Sequence, residues 1–265
     1  MSHLAIIYLL AGTLFVLLVI IAWRFWKRTS NMADRQSKQL KMQMTSNIAH
    51  ELRTPVTSIR GYLETMLACP DMAPDKKQAF LERAYNQTLR LSDLISDMAL
   101  ITKIEESPEK LAKEDVDIYE VALEVFDEFS ERIAGRNAHV ENLLQPDTIV
   151  KGNRTLVYAV IRNLVENSLK YAGEGVTLHI ECDGHAEKLY HFLYYDTGRG
   201  VPEEHLERIF ERFYRVQEGR SRDDGGSGLG LSIVRNAIVF HGGDVKVANR
   251  PSGGLQFAFS LRRKS

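Results

Sequence analysis

Three observations on this 265-residue chain predict an α plus α/β protein in three parts. An uncharged apolar run at the start predicts an N-terminal transmembrane helix. Two helical stripes with a proline-containing break between them predict a helical hairpin that dimerises into a four-helix bundle. A C-terminal half with interleaved helix-spaced and strand-spaced patterns predicts an α/β sandwich. Charged residues make up 26% and hydrophobic ones 44%, ordinary values for folded domains. The formal net charge of −1 gives no bulk basicity, so no direct nucleic-acid binding is expected. Cys69 and Cys182 lie far apart without metal-ligand spacing. Reduced thiols are therefore expected, rather than a disulfide framework or a zinc site.

Leu4 to Trp23 reads LAIIYLLAGTLFVLLVIIAW. At a rise of ~1.5 Å per residue this matches a hydrocarbon core about 30 Å thick. A signal peptide has a shorter apolar core, roughly 7–15 residues, and then a small-residue cleavage site. Here WRFWKR follows: Trp23 and Trp26 suit the interface, and Arg24, Lys27 and Arg28 favour a cytoplasmic C-terminal side. A single-pass membrane anchor is expected over residues 4–26, then a juxtamembrane linker helix over 27–39. With only MSH before the run, no outward sensor is expected from the residues given. Either the stimulus arrives through the anchor or a partner, or the chain is the C-terminal part of a longer sensor.

From residue 40 to 105 the pattern is helical. Leu40, Met44, Ile48, Leu52, Val56, Ile59, Leu63 and Met66 recur every three or four residues, one stripe of a long helix. CPDMAPD, Cys69 to Asp75, interrupts it with two prolines. A second stripe runs through Phe80, Ala84, Leu91, Leu94, Met98 and Ile101. Such a hairpin has no partner for much of its apolar face, and two copies forming a symmetric bundle would cover it. The competing arrangement is a monomeric hairpin packed on the next domain. EESPEKLAKED then lacks an apolar period, and residues 106–115 read as a linker.

Residues 116–265 mix the two periods. Tyr119 to Ile133 and Arg154 to Tyr171 read as helices. Val176 to Cys182 and Lys188 to Asp196 read as an antiparallel strand pair separated by Asp183-Gly184. Leu229 to Phe240 reads as a helix after a glycine cluster, and DVKVAN and LQFAFSL as two closing strands. Helices and antiparallel strands grouped this way suggest an α/β sandwich.

Five segments carry candidate chemistry. In LVYAVIRNLVENSLKYA, Leu156, Val157, Val160, Ile161, Leu164 and Val165 form an apolar side. Asn163, Glu166, Asn167 and Lys170 recur on the opposite face. That face is either simply solvated or a hard-ligand set for Mg²⁺ beside a phosphate-holding lysine. DTGRGVP ends an apolar strand on Asp196, followed by Gly198 and Gly200. It is a plain turn, or a carboxylate accepting from a purine amino group where glycines admit the base. DDGGSGLGLSIV places glycines at 225, 226, 228 and 230 before a helix, an anion-site pattern that is neither a Walker loop nor a Rossmann fingerprint. Between them, RIFERFYRVQEGRSRDD anchors on Phe210 and Phe213. It interleaves Arg212, Arg215, Arg220 and Arg222 with small and polar residues, as a mobile basic lid or a solvated loop would. The fifth segment, NIAHELRTPV, puts His50 beside Glu51 and one turn before Thr54 within the first stripe.

In order, these segments resemble the sensor histidine kinases of two-component signalling, from about residue 35 to the C-terminus. HELRTP resembles that family's phosphoacceptor box and NLVENSLKY its first nucleotide box. DTGRG and GGSGLGLSIV resemble its two glycine boxes, with IFERFYR as the phenylalanine box between them. Ser168 departs from the alanine common after the second asparagine.

The resemblance implies an ATP–Mg²⁺-binding sandwich of the type shared with heat-shock and mismatch-repair ATPases. Asn167 would bind Mg²⁺ with Asn163 in support, Lys170 would meet phosphate, and Tyr171 would pack near the adenine. Asp196 would hold the adenine amino group. Gly198 and Gly200 would shape the base pocket, Gly226, Gly228 and Gly230 the phosphate loop, and Arg215 would reach phosphate from the lid. It further implies a homodimer in a bacterial-type plasma (inner) membrane, with a response regulator receiver domain as partner.

His50 then has a role. A neutral imidazole carries a free lone pair and is a usable nucleophile toward a γ-phosphoryl group. Glu51 can accept its other ring N–H and remove the proton. Thr54 lies one turn on, and in relatives with this spacing a polar residue there helps position water, so both kinase and phosphatase activities are expected. Pro55 removes the amide that would bond the carbonyl of Glu51, so a bend beside His50 is expected. The competing reading from another class is a catalytically silent dimeric adaptor. Such a chain should have lost His50, Asn167, Asp196 or the glycines, and none is lost.

Overall fold

The computed structural model describes residues 23–24, 45–186, 188–216 and 226–264. The expected membrane span apart from Trp23 and Arg24, the juxtamembrane stretch, Leu40, Met44, Arg220 and Arg222 lie outside the described residues. Among the described residues no helix is long and apolar enough to cross a membrane.

Residues 45–68 are helical (α1), and the helix runs through Pro55 without a break. The chain turns over residues 69–73 into α2, Pro74–Glu106. Pro74 stands at the start of α2, where its missing N–H has no intrahelical partner to lose. Tyr62 and Phe80 stack across the hairpin with ring centroids 5.7 Å apart. Along α2 only Ala84, Leu94, Ile101 and Ile104 are buried. Val56, Leu63, Leu67, Leu81, Tyr85, Leu89 and Ile95 are large, apolar and exposed.

The stretch expected as a linker is structured at both ends. α2 continues to Glu106, a 3₁₀ turn spans Pro108–Lys110, and Leu111 is buried. Strand β1, Glu114–Asp117, then pairs antiparallel with β3, Ile149–Gly152, so Glu114 and Asp115 already belong to the α/β part. The pairing partner lies far along the chain, which is why no local pattern announces the strand.

The helix expected over 119–133 is two: α3, Ile118–Glu128, and α4, Ser130–Gly135, separated at Phe129. Asp117 caps α3 by accepting from the Tyr119 N–H at 3.0 Å. After β2, His139–Asn142, and β3 comes α5, Arg154–Tyr171, capped by the Asn153 side chain. The remaining elements are β4 (Thr177–Ala186), β5 (Leu189–Asp196), α6 (Glu203–Leu206), α7 (Gly230–Phe240), β6 (Val245–Asn249) and β7 (Leu255–Arg262).

Five strands form one sheet in the order β2-β4-β5-β7-β6, antiparallel except for β2 with β4. Asp183-Gly184 is not the hairpin turn: the register shifts there as a bulge, and pairing continues to Ala186 opposite Leu189. A bulge uses the same residue types as a turn, which explains the misplaced reversal. α3, α5 and α7 pack together, and their apolar sides share one core with Leu178, Ile180, Phe192, Tyr194, Phe257 and Phe259.

Candidate active site

The site begins with strand alternation. Phe192, Tyr194 and Asp196 are the buried positions of β5, so the two-residue period carries the carboxylate into the row of core aromatics. Asp196 is only 3% exposed, and its oxygens are matched. Oδ1 accepts from the Gly198 N–H at 3.0 Å and the Leu255 N–H at 3.3 Å. Oδ2 accepts from the Ser168 hydroxyl at 2.9 Å. Gly198 allows this closeness, because a Cβ there would lie 2.5 Å from the Ala172 side chain.

α5 brings the next groups over that carboxylate. Its apolar side is buried as its spacing predicts, but Asn163 on the other side is buried too. The Asn163 Nδ2 donates to the Ala159 carbonyl at 2.8 Å, and a Cβ on Gly230 would lie 2.5 Å from its Oδ1. Asn163 thus backs the first residue of α7, while Asn167, one turn on, is half-buried. Lys170 pairs with Glu166 at 2.8 Å, and Glu166 also faces Arg162 at 3.4 Å and Arg132 at 3.8 Å. Burial alone would raise the Glu166 carboxyl, but Lys170, Arg162 and Arg132 outweigh it and hold the group below its ordinary range. The Tyr171 hydroxyl accepts from the Gly226 N–H at 3.1 Å, so this residue meets the glycine loop.

That loop is tied to the phenylalanine segment. The Phe213 N–H donates to the Gly228 carbonyl at 2.8 Å, and Phe213 itself has φ +63°. Gly228 has φ +71°, and a Cβ on it would lie 2.8 Å from the Phe213 backbone, so only glycine fits. Arg215 is half-buried just beyond. Gly200, after the Asp196 turn, packs on Asn249, whose amide bonds both backbone groups of Val201 at 2.9 and 2.6 Å. α2 also reaches the loop: Ser227 Oγ donates to Asp97 at 3.5 Å. Burial pushes the Asp97 carboxyl up to about 6 despite Arg162 nearby.

His50 is a helix-surface residue. Its side chain is 67% exposed, with Nδ1 3.8 Å from Glu51 Oε1. That is within ion-pair reach but longer than a hydrogen bond. The Thr54 hydroxyl donates to the His50 carbonyl at 3.3 Å, one turn back.

Two family models match the chain. Residues 40–107 match the His Kinase A (phospho-acceptor) domain, and residues 152–265 match the histidine kinase-, DNA gyrase B-, and HSP90-like ATPases. The chain belongs to the sensor histidine kinases of two-component systems. The sensor histidine kinase WalK of Bacillus subtilis is 32% identical over 85% of this chain and 37% of its own length. The phosphate regulon sensor protein PhoR of Pseudomonas aeruginosa is 31% identical over 84% of this chain and 50% of its own. The chain therefore spans half or less of these two relatives. In structure, the Acinetobacter baumannii histidine kinase AdeS shares the fold at TM-score 0.66 and 24% identity, over 82% of this chain and 98% of that one. Histidine kinase ThkA, solved in complex with response regulator protein TrrA, aligns at TM-score 0.65 and 27% identity, over 84% and 61%.

The residues that resemble the family's nucleotide boxes converge. Asp196, Gly198, Gly200, Asn163, Lys170, Tyr171, Gly226, Gly228 and Gly230 lie on α5, the end of β5, the start of α7 and the loops between. The groups present fit an adenine nucleotide with a hard cation: a buried carboxylate acceptor, a half-buried carboxamide on Asn167, and glycines whose lack of a Cβ lets neighbouring elements close up around them. Sequence reasoning missed the contribution of Ser168, Tyr194 and Asn249. The serine in place of the usual alanine was the only available signal.

Proposed function

We propose that this chain is a membrane-anchored, dimeric kinase that phosphorylates its own His50 from ATP and passes the phosphoryl group to an aspartate on a response regulator. The observation that carries the reading is His50 itself, an exposed imidazole beside Glu51 on the matched phosphoacceptor helix. A modest side-chain rotation brings Glu51 to the Nδ1–H, which leaves the Nε2 lone pair facing outward. Nε2 bonds to the γ-phosphorus, the bond from that phosphorus to the β–γ bridging oxygen breaks, ADP departs, and Glu51 takes the ring proton.

Each site residue has a matching role in this reading. Asp196 accepts the adenine amino group, and Gly198 and Gly200 shape its pocket. Asn167 holds Mg²⁺, which when bound neutralises phosphate charge, and Asn163 supports the helix start behind it. Lys170 exchanges Glu166 for phosphate, Tyr171 positions the loop of Gly226, Gly228 and Gly230, and Arg215 approaches phosphate from beside Phe213. Thr54 orients water for a phosphatase activity toward the regulator once its hydroxyl leaves the His50 carbonyl. Dimerisation is supported by the exposed apolar residues Val56, Leu63, Leu89 and Ile95. Membrane anchoring at a bacterial inner membrane, with the catalytic region cytoplasmic, is supported by the Leu4 to Trp23 run. The regulator as partner is supported by the solved complex of ThkA with TrrA.

The test is incubation with γ-labelled ATP and Mg²⁺, beside His50→Ala. Acid-labile, alkali-stable label on the parent alone is expected. Label on neither, with ATP still bound, would replace this reading with a docking platform.

A further inference from the structure

We infer that Ser168, held by Tyr194, is a positioning residue that sets the purine preference of the Asp196 carboxylate. The inference rests on the reading of this site as an adenine-nucleotide site and goes beyond it, naming two buried hydroxyls that select the base.

The three side chains form a chain inside the core. Tyr194 and Ser168 are fully buried and Asp196 nearly so. The Ser168 hydroxyl donates to Asp196 Oδ2 at 2.9 Å, and the Tyr194 hydroxyl donates to Ser168 Oγ at 3.1 Å. The direction follows from proton counting. Serine has one hydroxyl proton, and a carboxylate can only accept, so Ser168 gives its proton to Asp196 and Tyr194 must give its own to Ser168. Burial holds the Tyr194 phenol well above its ordinary pKa, and the nearby Asp196 charge adds to this, so the donor is not lost by ionisation.

This arrangement settles what Asp196 can recognise. Two backbone N–H groups fix Oδ1, and Ser168 fixes the orientation of Oδ2. Oδ2 keeps acceptor capacity, but no proton in the network is free to be donated. A 6-aminopurine offers an N–H and is accepted. A 6-oxopurine offers a lone pair at the same place and meets another lone pair. Without the Ser168 hydroxyl, Oδ2 loses its clamp and the buried Tyr194 proton loses its acceptor. The carboxyl is then free to turn or to take up a proton, and discrimination falls. Alanine is smaller than serine and suits a helix, so Ser168→Ala keeps the fold.

The experiment measures autophosphorylation of the full chain with γ-labelled ATP and γ-labelled inosine triphosphate. It compares wild type, Ser168→Ala, Ser168→Thr and Tyr194→Phe, with melting temperatures in parallel. For Ser168→Ala, KM for ATP should rise about 5- to 20-fold with kcat changed far less. Its preference for ATP over inosine triphosphate should shrink by about as much. Ser168→Thr should restore part of the preference by returning the hydroxyl, and Tyr194→Phe should weaken it in the same direction by less. A Ser168→Ala protein with an unchanged preference, whatever its melting temperature, overturns the inference and leaves the kinase reading standing. A wild type that labels equally well from both nucleotides overturns it as well. A wild type that binds neither sinks the nucleotide reading and this inference together.

Discussion

Helices α2 and α5 are both long, at 33 and 18 residues, yet they end their packing differently. α5 buries Leu156, Val157, Val160, Ile161, Leu164, Val165 and Leu169. α2 leaves Leu81, Tyr85, Leu89 and Ile95 exposed. A domain core closes around the first helix, whereas the second carries a face that only another surface can cover. The two should therefore respond differently to the same loss of methyl groups. Leu164→Ala should cost about 3–4 kcal/mol of unfolding free energy, because the close-packed sandwich cannot collapse onto the cavity. Leu89→Ala should cost less than about 1 kcal/mol in dilute protein and should instead weaken self-association. Urea unfolding with sedimentation on both variants checks this, and equal losses of stability would break the contrast.

The contrast sharpens at Asp196, where the finished core turns chemical. Asp196→Asn keeps the shape and removes the charge that answers the Gly198 and Leu255 N–H groups and the Ser168 hydroxyl. ATP affinity should fall by about 2–3 kcal/mol, roughly 30- to 150-fold, read by calorimetric titration. Affinity within a factor of about three of wild type would remove Asp196 from base recognition.

What was legible in the sequence follows the same divide. Helical stripes and apolar strand runs are local patterns, so α1, α2, α5, α7 and the strand pair ending at Asp196 were readable. β1 and β3 were not, because each is four residues long and is defined by a partner elsewhere in the chain. The bulge at Gly184 was taken for a turn because glycine next to aspartate serves both geometries. Asn163 looked like part of a solvated face, since spacing places a residue on a helix but does not say what packs over it. Here Gly230 does. Ser168 stood out only as a departure, and its bonds to Tyr194 and Asp196 needed the third dimension.

The smallest effect tests the two regions through their protons. His241 lies in the sandwich, where its Nδ1–H donates to the Ala237 carbonyl at 2.6 Å and its Nε2 accepts from the Asn153 N–H at 2.9 Å. Burial lowers its pKa, so the fold holds it neutral; its contribution is complete above the unfolded value of ~6.5 and is lost as pH falls from there through the lowered folded value. Asp97, where α2 meets Ser227, runs the other way. Its carboxyl is raised from 3.8 to about 6 by burial, with Glu166 and Asp93 adding to this and Arg162 and the Ser227 hydroxyl opposing it. Between those values the folded chain holds more protons than the unfolded one, so this contribution is complete below the unfolded pKa and falls as pH rises through about 6. Asp97→Asn removes the titration while keeping the shape. It should stabilise the chain above pH ~6 by about 1 kcal/mol, a figure discounted because solvent reaches this side chain, and should change nothing near pH ~4. Subtracting the variant's stability curve from that of wild type isolates Asp97 from His241. A difference that is flat with pH would mean that the carboxylate is already paired at the α2 surface, and the two regions would then share one electrostatic regime.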